Sequence, residues 1–145
     1  MILRKILIIV VTATPFFANA MSLIQNYETG RLLDSNYDGH VYTLPQNGGN
    51  YQKWYLNCDQ QNLCVIRNIQ TGRVVDSNTN GNAYTLPENG GDFQKWYRIF
   101  SGIQDRYYFQ NKATGRYLDS NYNGDVYTLS YNGGHFQKWS IYETN

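Results

Sequence analysis

Histidine and cysteine are scarce in this chain, with two of each in 145 residues. A zinc site needs more Cys or His side chains close together than surround Cys58 and Cys64, so no metal is expected. No Ser-His-Asp set, nucleophilic Cys or repeated Glu pair is evident, so no catalytic centre is indicated and no cofactor is called for. An excess of charge of either sign is also missing. Of the twelve Lys and Arg, Arg4 and Lys5 fall in the first twenty residues, and the other ten are balanced by eleven Asp and Glu. A near-neutral surface lacks the basic face that nucleic acid requires. Beyond residue 20 there is no long apolar run for a membrane span. No segment keeps a 3.6-residue apolar period, so helices should be nearly absent.

The one apolar run lies at the start. Arg4 and Lys5 precede Ile6 to Thr12, followed by Pro15 and then Ala18-Asn19-Ala20. That is the charged, apolar and small-residue order of a secretory signal peptide. Residues 1–20 are therefore expected to be cleaved after Ala20, with an uncleaved anchor as the alternative. The run is short against the roughly 20 residues a span needs. Met21 rather than Cys follows the cut, which argues against a lipoprotein anchor. The mature chain, 21–145, is expected to be secreted (extracellular or periplasmic), and it is long enough for one domain with a core. In that compartment an even cysteine count suggests one disulfide, Cys58–Cys64, with two free thiols as the alternative. Closing so small a ring stabilises by only about 2–3 kcal/mol in the loop-entropy picture.

What the sequence does contain is one unit written three times. Thr29 to Trp54 reads TGRLLDSNYDGHVYTLPQNGGNYQKW, Thr71 to Trp96 reads TGRVVDSNTNGNAYTLPENGGDFQKW, and Thr114 to Trp139 reads TGRYLDSNYNGDVYTLSYNGGHFQKW. Sixteen of these 26 positions are identical in all three copies, so three units fill the mature chain, at about 21–62, 63–105 and 106–145. Asn26, Asn68 and Asn111 stand three residues before each Thr. Each unit reads as four short strands: SLIQN, RLLDSN, HVYTL and QKWYLN in the first, with their counterparts in the others. TGR supplies the tight turn after the first strand. Twelve short strands in three equal sets suit a closed barrel with a three-fold axis, because closure removes exposed edges.

The recurring Gln-x-Trp, at Gln52/Trp54, Gln94/Trp96 and Gln137/Trp139, each after Asn-Gly-Gly, resembles the signature of ricin B-chain-type lectins. The resemblance covers essentially all of 21–145. It implies an all-β fold, a β-trefoil of three similar four-stranded repeats with pseudo-three-fold symmetry. The family often has a disulfide within the repeat. Its later position here holds Gln46, Glu88 or Tyr131, never Cys. Cys58 and Cys64 instead straddle the junction of repeats one and two. Phe100 and Tyr107 occupy comparable places in the next junction, so the disulfide would substitute for an aromatic cross-strand pair.

The stretches DSNYDG, DSNTNG and DSNYNG look at first like calcium loops. An EF-hand loop closes with a bidentate Glu at its twelfth position. Pro45, Pro87 and Ser130 stand there instead. Turn chemistry explains Gly39, Gly81 and Gly124. It leaves the identical Asp-Ser-Asn open. Core positions have drifted between copies while Arg31, Asp34, Ser35, Asn36 and their counterparts have not. Three equivalent ligand sites are therefore favoured over simple duplication or a polar structural network.

A sugar is recognised by an acceptor for its hydroxyls, by amide groups and by an aromatic plane under its apolar face. Asp34, Asp76 and Asp119 match the family's site Asp, and the resemblance gives Gln52, Gln94 and Gln137 the role of bracing it. The family's stacking aromatic is replaced by Leu44, Leu86 and Leu129. Tyr42, Tyr84 and Tyr127, two residues earlier, lie on the same strand face and can supply ring and hydroxyl. A one-residue slip would bury them. Asn47, Asn89 and Asn132 can offer amides or cap a turn. The family's Asn before the Gln is replaced by Tyr51, Phe93 and Phe136. Tyr37 and Tyr122 can wall their pockets, whereas Thr79 cannot. The three Trp are expected in the core.

His40 and His135 each occur in one copy only, so neither belongs to a repeated site. The expectation is a secreted carbohydrate-binding protein, not an enzyme, with up to three equivalent sites. Its partners would be glycans on glycoproteins, glycolipids or polysaccharides, and it can act as the cell-binding subunit of a toxin or enzyme made on a separate chain. The rival reading is a protein–protein module such as a β-trefoil protease inhibitor.

Overall fold

The computed structural model describes residues 20–144. The expected signal peptide, Ala20 apart, lies outside the described residues. Twelve strands follow in three sets of four. The first set is β1 (Met21–Asn26), β2 (Leu32–Ser35), β3 (Val41–Leu44) and β4 (Trp54–Cys58); the second is β5 (Leu63–Asn68), β6 (Val74–Ser77), β7 (Ala83–Leu86) and β8 (Trp96–Phe100). The third is β9 (Arg106–Asn111), β10 (Tyr117–Ser120), β11 (Val126–Leu129) and β12 (Trp139–Thr144). Six of them close a barrel, because β1 pairs with β12 and β4, β5 with β4 and β8, and β9 with β8 and β12. The other six form three hairpins, β2–β3, β6–β7 and β10–β11. This is the expected β-trefoil.

Helix is confined, among the described residues, to three 3-10 turns at Asn50–Gln52, Asp92–Gln94 and His135–Gln137. Here the structure departs from the sequence reading, which placed Gln at the start of the fourth strand. The strand begins at Trp. The Gly-Gly before it lets the chain turn, with the Gln52 N–H donating to Gly49 O, so that Gln points inward.

The core is assembled in threes. Ile24, Ile66 and Phe109 come from the barrel strands, Leu33, Val75 and Leu118 from the hairpins, and Trp54, Trp96 and Trp139 from the Gln-x-Trp motifs, all without solvent exposure. Each buried indole finds a hydrogen-bond partner, as it must: Nε1 donates to Leu33 O, Val75 O and Leu118 O at 2.9, 3.0 and 3.1 Å. Cys58 and Cys64 face each other across β4–β5 and are disulfide-bonded. At the next junction Phe100 pairs with Tyr107 in the same register, their rings 6.1 Å apart and edge to face.

The hairpins interlock around the axis. Thr43 N–H donates to Gly124 O, Thr85 N–H to Gly39 O and Thr128 N–H to Gly81 O, at 2.8, 2.9 and 2.8 Å. A guanidinium clamps each junction: Arg31 donates through Nε to the Thr43 hydroxyl and through Nη2 to the Thr43 carbonyl, as do Arg73 to Thr85 and Arg116 to Thr128. Nothing larger than glycine fits there. At Gly124, with φ +88°, a Cβ would lie 2.7 Å from Thr43 O and 2.9 Å from Arg31 Nη2. At Gly72, with φ +71°, a Cβ would meet nothing within 4 Å. Gly72→Ala should therefore cost about 1 kcal/mol, the left-handed backbone alone. Gly124→Ala should cost about 3 kcal/mol, because a backbone carbonyl must also move. Urea unfolding of the two variants checks the difference.

Candidate functional site

Each hairpin sets one Asp directly opposite one Tyr: Asp34 with Tyr42, Asp76 with Tyr84, and Asp119 with Tyr127. These pairs lie on the face turned away from the core, since Leu33, Val75 and Leu118 next to the Asp residues point inward. One same-face step along, Leu32 pairs with Leu44, Val74 with Leu86, and Tyr117 with Leu129. The expected register thus keeps the Tyr residues off the core; they are half-buried.

The carboxylates form the floor of this face. Asp34, Asp76 and Asp119 are only 2–3 % exposed. Oδ1 of each accepts the N–H of the next residue, Ser35, Ser77 or Ser120, at 2.7–2.8 Å. Gln94 Nε2 donates to Asp76 Oδ2 at 2.9 Å. In the first repeat the Gln52 amide draws the Asp34 pKa down. In the third repeat Gln137 still draws the Asp119 pKa down, yet Asp119 Oδ2 is buried without a hydrogen bond of ordinary geometry. Burial is the larger influence and raises both Asp34 and Asp119 above the usual carboxylate value, with the Gln and Ser contacts offsetting part of it.

The Gln side chains do more than brace Asp. Gln52 Nε2 also donates to Pro45 O, and its Oε1 accepts the Asn47 N–H. Gln94 holds Pro87 O and Asn89 N–H, and Gln137 holds Ser130 O and Asn132 N–H, in the same way. One buried amide therefore fixes the floor of the site and the loop bordering it. On that loop Asn47, Asn89 and Asn132 are exposed, and each Oδ1 accepts the N–H of the second Gly at 2.8 Å. The amide carbonyl caps the turn, and the Nδ2 donors have no partner among the described residues. The Tyr42, Tyr84 and Tyr127 hydroxyls donate to Ser35 O, Ser77 O and Ser120 O at 3.0–3.2 Å. Burial raises the Tyr84 and Tyr127 phenols, and the Asn78 and Asn121 amides offset part of that rise.

The rim differs between repeats. Tyr37 is 59 % exposed, meets the Tyr51 ring edge to face at 5.8 Å and donates its hydroxyl to Gln70 O. Tyr122 is 64 % exposed, meets Phe136 at 5.3 Å and donates to Glu28 Oε1 at 2.8 Å. Each wall thus reaches over to a turn of the adjoining repeat. Thr79 makes no such wall. The sequence reading counted Tyr51, Phe93 and Phe136 only as a lost Asn and missed the first and last as supports for these walls. Their aromatic character in all three copies was the available signal.

Several invariant polar residues belong to the fold. Arg31, Arg73 and Arg116 clamp the hairpin junctions. Asn36, Asn78 and Asn121 accept, through Oδ1, the N–H of His40, Asn82 and Asp125, each at 3.1 Å, closing the turn. The polar structural network, one alternative explanation of the identity among copies, therefore accounts for these positions. In DSNYDG the Asp and Asn oxygens are taken by different backbone N–H groups, as turn chemistry requires. A separate depression of about 270 Å³ lies near the disulfide, lined in part by Ser22, Asp59, Asn62, Arg98 and Glu143, and it contains none of the repeated site residues.

The two hydrogen-bonding states of the Asp floor predict different responses to an isosteric change. Asp76→Asn sets an NH2 group against the Gln94 Nε2 donor, which is locked by Pro87 O and Asn89 N–H; it should cost about 1–3 kcal/mol. Asp119→Asn removes a buried charge whose Oδ2 makes no ordinary hydrogen bond, and Gln137 faces it at looser geometry, so the change should cost less than Asp76→Asn at pH 7. Because the folded Asp119 pKa is raised, its carboxyl supports the fold below pH 3.8 and that support is lost as pH climbs through the folded value. In Asp119→Asn that part of the decline should vanish. Chemical denaturation at pH 3.5 and 7 checks all three outcomes.

Comparison with known proteins agrees with this geometry. The designed three-fold symmetric protein ThreeFoil superposes with a TM-score of 0.76 at 24 % identity, over 83 % of this chain and 96 % of that one. SeviL, solved bound to asialo-GM1 saccharide, gives 0.74 at 19 % identity, over 87 % and 98 %. A mosquitocidal holotoxin gives 0.79 at 23 % identity, over 89 % of this chain but 18 % of that one. These likenesses establish the fold. A sequence profile described as ricin-type beta-trefoil lectin domain-like matches residues 50–129, more than half of the chain and spanning parts of all three repeats, and the protein belongs to that family.

Proposed function

We propose that the protein is a secreted lectin that binds glycans through up to three sites, Asp34/Tyr42/Asn47, Asp76/Tyr84/Asn89 and Asp119/Tyr127/Asn132. The observation that carries the reading is the Asp–Tyr pair set in front of a buried Gln, repeated three times in a chain of this family. The carboxylate accepts from sugar hydroxyls, the Asn Nδ2 donates, and the half-buried Tyr offers a ring edge and an acceptor oxygen. Holding these groups in place before the ligand arrives lowers the ordering cost of binding. The raised pKa of Asp34 and Asp119 has a second consequence. Their acceptor capacity, and with it sugar affinity, falls as pH drops, starting at a higher pH than for an ordinary Asp.

A single shallow sugar site binds weakly, near millimolar, or about −4 kcal/mol. Three sites on one glycosylated surface raise avidity by roughly 10²–10⁴-fold when geometry allows simultaneous contact. That favours a role in adhesion to glycoproteins, glycolipids or polysaccharides, with no catalysis of its own, after export and cleavage near Ala20. A separate toxin or enzyme chain is a fitting cargo; the holotoxin named above carries a domain of this fold within a larger chain.

A glycan array at multivalent density tests the reading. The parent should bind, and the Asp34→Asn/Asp76→Asn/Asp119→Asn variant should lose binding while keeping its circular dichroism. Undiminished binding by a folded triple variant would sink the site assignment. No binding by the parent would favour the protein–protein reading. The rim also makes the middle site the weakest, since Thr79 replaces Tyr37 and Tyr122. Thr79→Tyr should raise affinity at that site about two- to fivefold, measured by titration in the Asp34→Asn/Asp119→Asn background.

A further inference from the structure

The third repeat carries an aromatic group that the other two lack. Tyr108, Tyr117 and Tyr131 occupy positions held by Leu23, Leu32 and Gln46 in the first repeat and by Val65, Val74 and Glu88 in the second. Their rings pack mutually, with centroids 5.8 Å apart for Tyr108–Tyr117, 5.5 Å for Tyr108–Tyr131 and 5.3 Å for Tyr117–Tyr131. Tyr108 is buried beneath the group, and burial, with its contacts to Tyr131 and Tyr117, pushes its phenol up to about 12, so it stays neutral. Tyr131 is 59 % exposed. A tyrosine needed only to cover Tyr108 and Tyr117 would not leave so much of itself in water.

This group continues the proposed third site. Tyr117 shares the outward face of β10 with Asp119, one two-residue step away, or roughly 7 Å. Its cross-strand partner Leu129 is 40 % exposed and stands two residues before Tyr131. From Asp119/Tyr127 through Tyr117/Leu129 to Tyr131 the surface is therefore unbroken, and the step matches the length of one sugar ring. The turn bearing Tyr131 is held from below. Lys138, 7 % exposed, donates from Nζ to Gly133 O at 3.2 Å, lies 3.1 Å from His135 Nδ1 and sits 6.0 Å from the Tyr108 ring centroid.

We propose that the third site is an extended one, which takes a neutral oligosaccharide of two or three residues. One pyranose sits at Asp119 and Tyr127, and the chain continues over Tyr117 and Leu129 with an apolar face against the Tyr131 ring. The first two sites, with Gln46 and Glu88 at that place, stop at the first sugar. This rests on the lectin reading above, and it assigns the three similar repeats different ligand lengths.

The test uses the full chain with Asp34→Asn/Asp76→Asn, so that only the third site remains, and arrays printed with neutral mono-, di- and trisaccharides. Adding Tyr131→Gln, the residue of the first repeat, should leave monosaccharide binding unchanged and weaken di- and trisaccharide binding about two- to tenfold. Tyr131→Phe should restore it, because the ring and not the hydroxyl is used. In the unaltered protein, the Tyr131 ring signals in NMR should shift on adding the trisaccharide that binds best on the array and stay put with its terminal monosaccharide. This second measurement holds even if Tyr131→Gln destabilises the fold. Equal oligosaccharide binding by the Gln variant, or a silent Tyr131 ring, overturns the extended site and leaves the lectin reading intact. Loss of all binding in the Asp34→Asn/Asp76→Asn background, with the parent still binding, also overturns it alone. A parent that binds no glycan overturns both.

Discussion

Gln and Trp, two residues apart, grip two neighbouring residues of the hairpin. The Trp96 indole N–H donates to the Val75 carbonyl, while the Gln94 amide donates to the carboxylate of Asp76. The first contact ties the core to the hairpin backbone, and the second ties the same backbone to the outward face. Because the 3-10 turn before Trp aims Gln inward, a single short segment sets both the barrel strand and the floor of the site. Replacing either residue would leave a buried polar group unpaired, a cost of about 1–3 kcal/mol before any packing loss. The other parts of each repeat are arranged around this clamp, and its three-fold return is why the repeats stay alike.

Fold and site were legible to different degrees, for reasons visible in particular residues. Strand positions followed from period-two patterning, and the pairing of Cys58 with Cys64 and of Phe100 with Tyr107 followed from their equivalent places at the repeat junctions. The hairpin interlock could not be read. Thr43 meets Gly124, and Thr128 meets Gly81, across distances in the chain that no local pattern signals. Without it, the constancy of Arg31 looked like a property of a ligand site, and that of Gly39 like turn chemistry alone. Asp34 looked like an open acceptor, yet its side chain is almost wholly covered, since a carboxylate held by the next backbone N–H and backed by a buried Gln sits behind the strand edge. The walls formed by Tyr37 with Tyr51, and by Tyr122 with Phe136, depended on where the 3-10 turn puts the residue before Gln, a geometry hidden while that segment was read as strand.

A buried carboxylate in a binding site is costly until something donates to it. The desolvation that raises Asp34 and Asp119 is the same quantity a ligand hydroxyl can relieve, so a floor that is poor for stability is well suited to binding. Stability is recovered elsewhere, in the three buried indoles and the interlocked hairpins. Asp119 is the sharpest case. Its buried Oδ2 lacks the ordinary hydrogen bond that Gln94 gives Asp76, although Gln137 still draws its pKa down.

That difference joins others in the same repeat. Constraint in this fold falls on residues that touch the clamp or the interlock, and these are the invariant ones. The remaining positions border the Asp–Tyr face without supporting the barrel: 37, 79 and 122 on one side, 46, 88 and 131 on the other, and 50, 92 and 135 in the turn. They are free to vary, and they do. At the last of these, Asp92 lies 3.8 Å from Lys95 in the second repeat, whereas His135 stands beside Lys138 in the third and meets Tyr27 edge to face at 4.8 Å. A symmetric scaffold therefore permits asymmetric rims, because the bonds rim residues make to neighbouring repeats, such as Tyr37 to Gln70 and Tyr122 to Glu28, are exposed and lie outside the clamp and the interlock. On the lectin reading proposed above, selectivity among glycans can then change by single substitutions at the rim with little loss of stability, while a change at Gln, Trp or the interlocking Gly would be felt through the whole barrel.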